Sequence, residues 1–272
     1  MAPRRNLRLL LEYDGTRYHG WQRQKNALTI QAVLENALAR LTGAPATLHA
    51  SGRTDAGVHA LGQVANFHTD SHLPLKAFLH GLNSMLPHDI AVLAAEEAPE
   101  EFHARKSALA KTYEYRILNR PCRSPLHHHY GWWLAQPLNL PAMAEAAAML
   151  PGQHDFTAFR ASGSDNLNPV RRVLEARWHP HPGGWVHFSI TANGFLRGMV
   201  RSLVGTMVQI GLNKRPPSDL ANLLKTGHRH LAGPTAPAPG LYLVEVKYGE
   251  FGEGGQGPTA PAPFPKPHPP TP

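Results

Sequence analysis

At 272 residues, 42% hydrophobic and 17% charged, the chain has the composition of a globular protein with one large domain or two of ordinary size. Its single cysteine, Cys122, excludes an intramolecular disulfide and any multi-cysteine zinc or iron–sulfur site. No run of about 18 apolar residues supports a membrane span, and the apolar stretch before Glu12 is too short for a secretory signal, so a cytosolic protein is expected.

Lys and Arg number 27 against 19 Asp and Glu, a net charge of +8 that suits a polyanionic partner such as a nucleic acid. Charge alone is equally compatible with a basic protein that binds no nucleic acid.

Leu7–Tyr13 reads as a short apolar-rich strand. Thr29 is placed to cap a helix whose Ile30, Val33, Leu34, Ala37, Leu38 and Leu41 recur at three- and four-residue steps, ending at Gly43. Strands are expected around Thr47–Ala50 and Gln63–His68, then a second amphipathic helix with Leu75, Phe78, Leu79, Leu82 and Leu86, stopped by Pro87. Ile90–Ala94 is a fourth strand. This order, strand-helix-strand-strand-helix-strand, is the split β-α-β unit of ferredoxin-like domains.

The second half alternates more loosely. Ser107–Leu118 is a long strand with Tyr113, Tyr115 and Ile117 at period two. Asn139-Leu140-Pro141 opens an alanine-rich helix that ends at Pro151-Gly152. Strands at Val173–His179 and Trp185–Ile190 precede a long helix from Phe195 to Ile210, a short helix near Ser218–Leu224 and a last strand, Leu241–Tyr248. The expected fold is α+β: two ferredoxin-like-related domains with mainly antiparallel sheets and an active-site cleft between them. The boundary near Pro99–His103 gives an N-terminal domain at 1–102 and a C-terminal domain at 103–249. The tail 250–272 is rich in proline and glycine and too poor in apolar residues to offset its ordering entropy, so it is expected to lie outside the fold, disordered.

Composition does not explain SGRTDAGVHA, residues 51–60. Between two strand-like segments it gathers Arg53, Asp55 and His59 among small residues and two glycines. Such a segment reads as a loop that needs unusual torsions or close approach to a ligand. Turn chemistry alone would make it an ordinary turn with Asp55 bonded to a nearby backbone N–H.

The decapeptide resembles the signature loop of the tRNA pseudouridine synthase A family. Five further segments resemble that family in the same order: YDGTRYHGWQRQ at 13–24, FHARKSALAKTYEYRI at 102–117, DFTAFR at 155–160, FLRGMVRSLVGTM at 195–207 and TAPAPGLYLVEVKY at 235–248. The likeness runs from about Leu7 to Tyr248, and six segments in order are far more specific than any one of them.

The resemblance implies roles at the matched positions. Asp55 corresponds to the family's essential aspartate, which acts at the ribose C1′–N1 bond of the target uridine by attacking C1′ or by taking a proton from C2′. Arg53 corresponds to the arginine that helps extrude the base, the bland reading being a surface phosphate contact. Tyr113 corresponds to the tyrosine that packs on the target base, with Tyr115 as core. Arg201 corresponds to a partner that keeps the Asp55 carboxylate ionised and aimed; Arg197, four residues earlier, is read as a phosphate contact or surface residue. Gly198 would weaken the expected helix by about 1 kcal/mol relative to alanine. The implied reaction needs no metal, nucleotide or redox cofactor.

The eighteen histidines, among them His127-His128-His129, His179 with His181 and His228 with His230, show no HExxH spacing or paired cysteines. They are expected to add to RNA affinity when protonated, below about pH 6.5. The resemblance also implies action at positions 38, 39 and 40 of the tRNA anticodon stem-loop, and a homodimer in which one tRNA touches both subunits. Two competing readings remain: a non-catalytic RNA-binding protein of ferredoxin-like domains, which gives no reason for Asp55 and Arg201 together, and a carboxylate-dependent hydrolase of small molecules, which would not need the positive charge.

Overall fold

The computed structural model describes residues 4–161 and 168–249. The proline-rich tail expected at 250–272 lies outside the described residues. The described residues divide into two compact units, 4–109 with 243–249, and 110–161 with 168–242. This division falls between Leu109 and Ala110, further along than the break expected near Pro99–His103, and residues 243–249 pack with the first unit.

The first unit is built from β1 (Arg5–Tyr13), α1 (Ile30–Thr42), β2 (His49–Ala50), β3 (His59–Thr69), α2 (Leu75–Met85) and β4 (Ile90–Ala98). The α1 boundaries follow local chemistry: Thr29 caps the first turn by accepting from the Ala32 N–H, and Gly43 ends the helix with φ 75°. β1 lies between β4 and β3, antiparallel to both, and β2 adds to β3, the 4-1-3-2 arrangement of a split β-α-β unit. β10 (Leu241–Tyr248), in the part that belongs to this unit, also pairs with β3. Period two then dictates burial. Leu7, Leu9 and Leu11 are fully buried on one face of β1, where Phe67 of β3 meets Phe78 of α2 with ring centroids 5.9 Å apart.

The opposite face of this sheet is buried too, and it is polar. Arg8 and Asn66 are cross-strand partners, each about 1% exposed. The Asn6 amide donates to the carbonyls of Pro99 at 2.8 Å and Phe102 at 2.9 Å. Asn66 donates to Asn6 Oδ1 at 3.0 Å and accepts from the Ala104 N–H at 2.8 Å. The segment after β4 is thereby stitched across the sheet, where Phe102 and Ala104 join Leu10 and Val64 in a small core.

The second unit contains β5 (Ala108–Asn119) from Ala110 on, β6 (Trp132–Leu134), α3 (Leu140–Ala147), β7 (Gly152–Asp155), β8 (Val170–His181), β9 (Trp185–Ala192), α4 (Met199–Gly211) and α5 (Ser218–Thr226). β5, β9, β8 and β7 are neighbours in that order and antiparallel, with β6 parallel to the end of β5. The α+β expectation is met, with short strands β6 and β7 in addition. Tyr113, Tyr115 and Ile117 of β5 lie across from Ile190, Phe188 and Val186 of β9. In α4 the apolar stripe of Met199, Leu203, Val204 and Met207 is buried, and Met207 Sδ accepts at 3.4 Å from Nε1 of Trp178 on β8, which lies across from Phe188.

The expected start of α4 at Phe195 is corrected to Met199. Gly198 precedes the helix in the left-handed region, φ 72° and ψ 0°, and an added Cβ would stand 3.2 Å from the Ala161 Cβ. It therefore marks the helix start and does not weaken its interior. Arg197 lies outside the helix and exposed, so it does not share a helical face with Arg201. Among the described residues, no helix is long and apolar enough to cross a membrane.

Candidate active site

The segment 51–58 is a loop between β2 and β3, and its conformation is enforced from below. Ser51 Oγ donates to Gln63 Oε1 at 2.6 Å, and Gln63 Nε2 donates to the Gly52 carbonyl at 2.8 Å. Gln63 is fully buried on β3, so these two bonds hold the loop entry over the sheet. Tyr13, 3% exposed, bonds Thr54 Oγ1 at 2.8 Å. Burial pushes the Tyr13 phenol up to about 12, against the opposing hydrogen bonds of Thr54 and Gln63, so it stays protonated at neutral pH.

The opposite side of the loop is braced by residues 14–21, the first of the sequence segments singled out with it. The Trp21 N–H donates to the Thr54 carbonyl at 3.0 Å, and the Gly57 N–H donates to the Tyr18 carbonyl at 3.3 Å. The Gly15 N–H donates to Nδ1 of His59, a ring 2% exposed. The glycines of DGTRYHG are what allow this nesting. A Cβ on Gly15 would lie 2.0 Å from the Val58 carbonyl oxygen, and one on Gly20, at φ +84°, would lie 2.5 Å from the Thr54 oxygen and 3.0 Å from the Asp55 carbonyl carbon. The loop ends in a turn in which the Val58 N–H donates to the Asp55 carbonyl at 3.2 Å. Asp55 is half-buried and Arg53 is exposed. A carboxylate is thus carried on a short loop with little freedom to shift, beside a solvent-facing guanidinium.

Tyr113 and Arg201 belong to the second unit. Tyr113 is 7% exposed, and its ring is met edge-on by Phe195 at 4.9 Å, with an interplanar angle of 79°. Tyr115 is fully buried and its hydroxyl donates to the Pro237 carbonyl at 2.7 Å. Burial raises its pKa, and the nearby Arg201 works in the opposite direction.

Arg201 stands in the first turn of α4, half-buried. Its Nε donates to the Ala236 carbonyl at 2.7 Å, and the Ala236 N–H donates back to the Arg201 carbonyl at 3.0 Å. The loop 234–237 comes this close because residue 205 is glycine, where a Cβ would fall 1.7 Å from the Pro234 oxygen. Arg201 is therefore clamped along its stem by a backbone that Tyr115 also holds. Among the described residues, the sequence motifs thus contribute two preorganised fragments, Asp55 with Arg53 in the first unit and Tyr113 with Arg201 in the second. The bracing roles of Gln63, Gly20, Phe195 and Ala236 were not legible beforehand, because each acts through a partner remote in sequence.

The chain matches the family model described as tRNA pseudouridine synthase over residues 10–105 and 146–249. It is 49% identical over 242 residues to the tRNA pseudouridine synthase A of Syntrophotalea carbinolica, covering 89% of this chain and 96% of that protein. It is 48% identical over 242 residues to the enzyme of the same name from Myxococcus xanthus, covering 89% of this chain and 91% of that one. The corresponding protein of Thermoanaerobacter sp. is 46% identical over 244 residues, which is 90% of this chain and 100% of that one. With the braced loop of Asp55 inside the first matched region and Arg201 inside the second, the chain belongs to the tRNA pseudouridine synthase family.

Proposed function

We propose that this protein isomerises uridine to pseudouridine at positions 38, 39 and 40 of the tRNA anticodon stem-loop, with Asp55 as the catalytic carboxylate. Family membership supports the reaction on tRNA. The observation that carries the residue assignment is the Asp55 loop itself, tied by Gln63, Tyr13 and Trp21 so that the carboxylate is aimed before substrate arrives.

The chemistry needs a base detached and rejoined. The C1′–N1 bond breaks, the uracil turns, and a C1′–C5 bond forms; the proton leaves C5 and N1 regains one. A carboxylate serves either by adding to C1′ and later leaving, or by taking the C2′ proton and returning it. Both routes end with the carboxylate regenerated.

The target uridine sits in a stem or at its loop junction, and must leave the stack before C1′ can be reached, at about a few kcal/mol. Arg53, exposed next to Asp55, is proposed to hold the extruded nucleotide or fill the space it vacates. Tyr113 is proposed to pack on the uracil, its ring pre-set by Phe195. Arg201, fixed through its Nε by Ala236, is proposed as the cation that keeps Asp55 ionised and oriented. The family likeness further supports a homodimer working on one tRNA in the cytosol.

The test uses tRNA transcripts carrying tritium at uracil C5. Label release from the wild-type transcript, and its loss when the uridines at 38, 39 and 40 are replaced by cytidine, is expected. Release undiminished by those replacements would overturn the assignment of position. Sedimentation of the protein as a monomer at assay concentration would overturn the homodimer.

A further inference from the structure

The segment from the end of β5 through β6 is used by none of the roles above, although it holds the histidine run 127–129 and the adjacent Trp132 and Trp133 of β6. It borders an open cavity of about 410 Å³ whose lining includes Arg123, His127, His128, Trp132 and Trp133, together with Pro237 and Pro239. The cavity lies wholly in the second unit, and Pro237 belongs to the loop whose neighbouring Ala236 clamps Arg201.

Its walls are firmly set. Trp133 Nε1 donates to the Arg120 carbonyl at 2.9 Å, yet the residue keeps 40% of its surface exposed. His128 Nδ1 donates to the Pro125 carbonyl at 2.6 Å, which leaves Nε2 for a ligand. His127 stands edge-on to Trp185 at 5.4 Å. Gly131 admits the Trp185 ring, because a Cβ there would meet Cζ3 at 2.5 Å. A volume of this size suits a ligand of nucleotide dimensions. Among the lining residues there is no carboxylate, while one guanidinium and two imidazoles are present. An aromatic face beside a cation is the chemistry that holds an unpaired nucleotide, the base stacked and the phosphate paired.

We propose that this cavity is a second RNA contact, taking one unpaired nucleotide of the tRNA with its base on Trp133 and its phosphate on Arg123. The proposal rests on tRNA being the substrate. It favours RNA over the chain's own proline-rich residues 258–272, which carry Lys266 but no acidic side chain to match the basic lining.

Filter binding of unmodified tRNA tests it at several salt concentrations. Trp133→Ala is expected to weaken binding about tenfold, the loss of one base stack. Arg123→Gln is expected to weaken binding and to lower the salt slope by about one, the loss of one phosphate contact. Arg123 is exposed, so this second variant keeps the test valid should the tryptophan variant fail to fold. Leu126→Ser, at a neighbouring position 80% exposed that does not line the cavity, should bind as the wild type does.

Wild-type affinity and salt slope in Arg123→Gln would overturn the proposal. So would a peptide of residues 258–272 that perturbs the fluorescence of the wild type and not of Trp133→Phe, with tRNA affinity unchanged by either substitution. Binding is read here without turnover. A wild type that binds tRNA through this cavity but releases no tritium would therefore refute the isomerase reading and leave this site standing.

Discussion

Gly20→Ala perturbs the Asp55 loop without touching the carboxylate. The added Cβ would stand 2.5 Å from the Thr54 carbonyl oxygen, whereas ordinary contact begins at 3.4 Å, so Thr54 must retreat by 3.4 − 2.5 = 0.9 Å. Two costs follow. Alanine at φ +84° is strained by about 1–2 kcal/mol, and the overpacking against backbone adds about 1–3 kcal/mol. The displaced carbonyl is the acceptor of the Trp21 N–H and belongs to the residue before Asp55, so the strain moves the carboxylate itself.

A shift of about 1 Å at a reacting group can cost roughly a hundredfold in rate. The expected outcome is a folded variant with a lower melting temperature and a kcat for tritium release reduced about a hundredfold. Gly43→Ala is the control. Its φ of +75° imposes the same left-handed strain, but no atom lies within 4 Å of the new Cβ, so stability should fall by about 1–2 kcal/mol with turnover retained. Circular dichroism, thermal denaturation and tritium release distinguish these cases. Wild-type turnover in Gly20→Ala would refute the claim that the 14–21 segment sets the position of Asp55.

Tyr115→Phe removes the hydrogen bond to the Pro237 carbonyl, so thermal or chemical denaturation should show a loss of about 0.5–1.5 kcal/mol; unchanged stability would mean that this hydroxyl does not hold the loop. Glu114 provides a pH test. Burial alone would raise its pKa, but the bonds and charges of His187 and Arg116 hold it down at about 2 against an ordinary 4.5. Its contribution, on the order of 2 kcal/mol, is therefore complete above pH 4.5 and lost as pH falls towards 2. Denaturant midpoints should converge between wild type and Glu114→Gln across that window, and a constant difference would contradict the ion-pair account. Asn66→Ala removes the amide's bonds to Asn6 and Phe102 and the acceptor of the Ala104 N–H. The Phe102 carbonyl keeps its bond from Asn6, but leaving Asn6 Oδ1 and the Ala104 N–H unmet should cost about 2–4 kcal/mol by urea denaturation.

The elements that were legible in the sequence were those whose causes are local. The α1 helix was readable from Thr29 to Gly43 because its cap, stripe and stop all lie within one stretch, and β10 was readable over Leu241–Tyr248 from its apolar run. The expected strand at Thr47–Ala50 shrank to His49–Ala50, and that at Gln63–His68 grew to His59–Thr69. Pairing partners decide such lengths. The false start of α4 at Phe195 has a single cause, the left-handed Gly198, which an apolar repeat continuing back to Phe195 conceals.

At the candidate site the motifs named Asp55, Arg53, Tyr113 and Arg201, but what holds them was hidden. Gln63 reads as an ordinary polar strand residue until it is found fully buried under the loop. Phe195 reads as a helix-stripe residue until its ring is found against Tyr113. Such bracing residues meet their partners only after folding, so spacing in the sequence carries no trace of them.

The central claim is that Asp55 performs the chemistry on a uridine already bound. The direct measurement is tritium release from C5-labelled tRNA by Asp55→Asn, alongside its tRNA affinity. The account predicts binding within a few-fold of the wild type and no release above background, since the amide keeps nearly the shape of the side chain but neither adds to C1′ nor takes the C2′ proton. Release by Asp55→Asn at a rate near that of the wild type would contradict it.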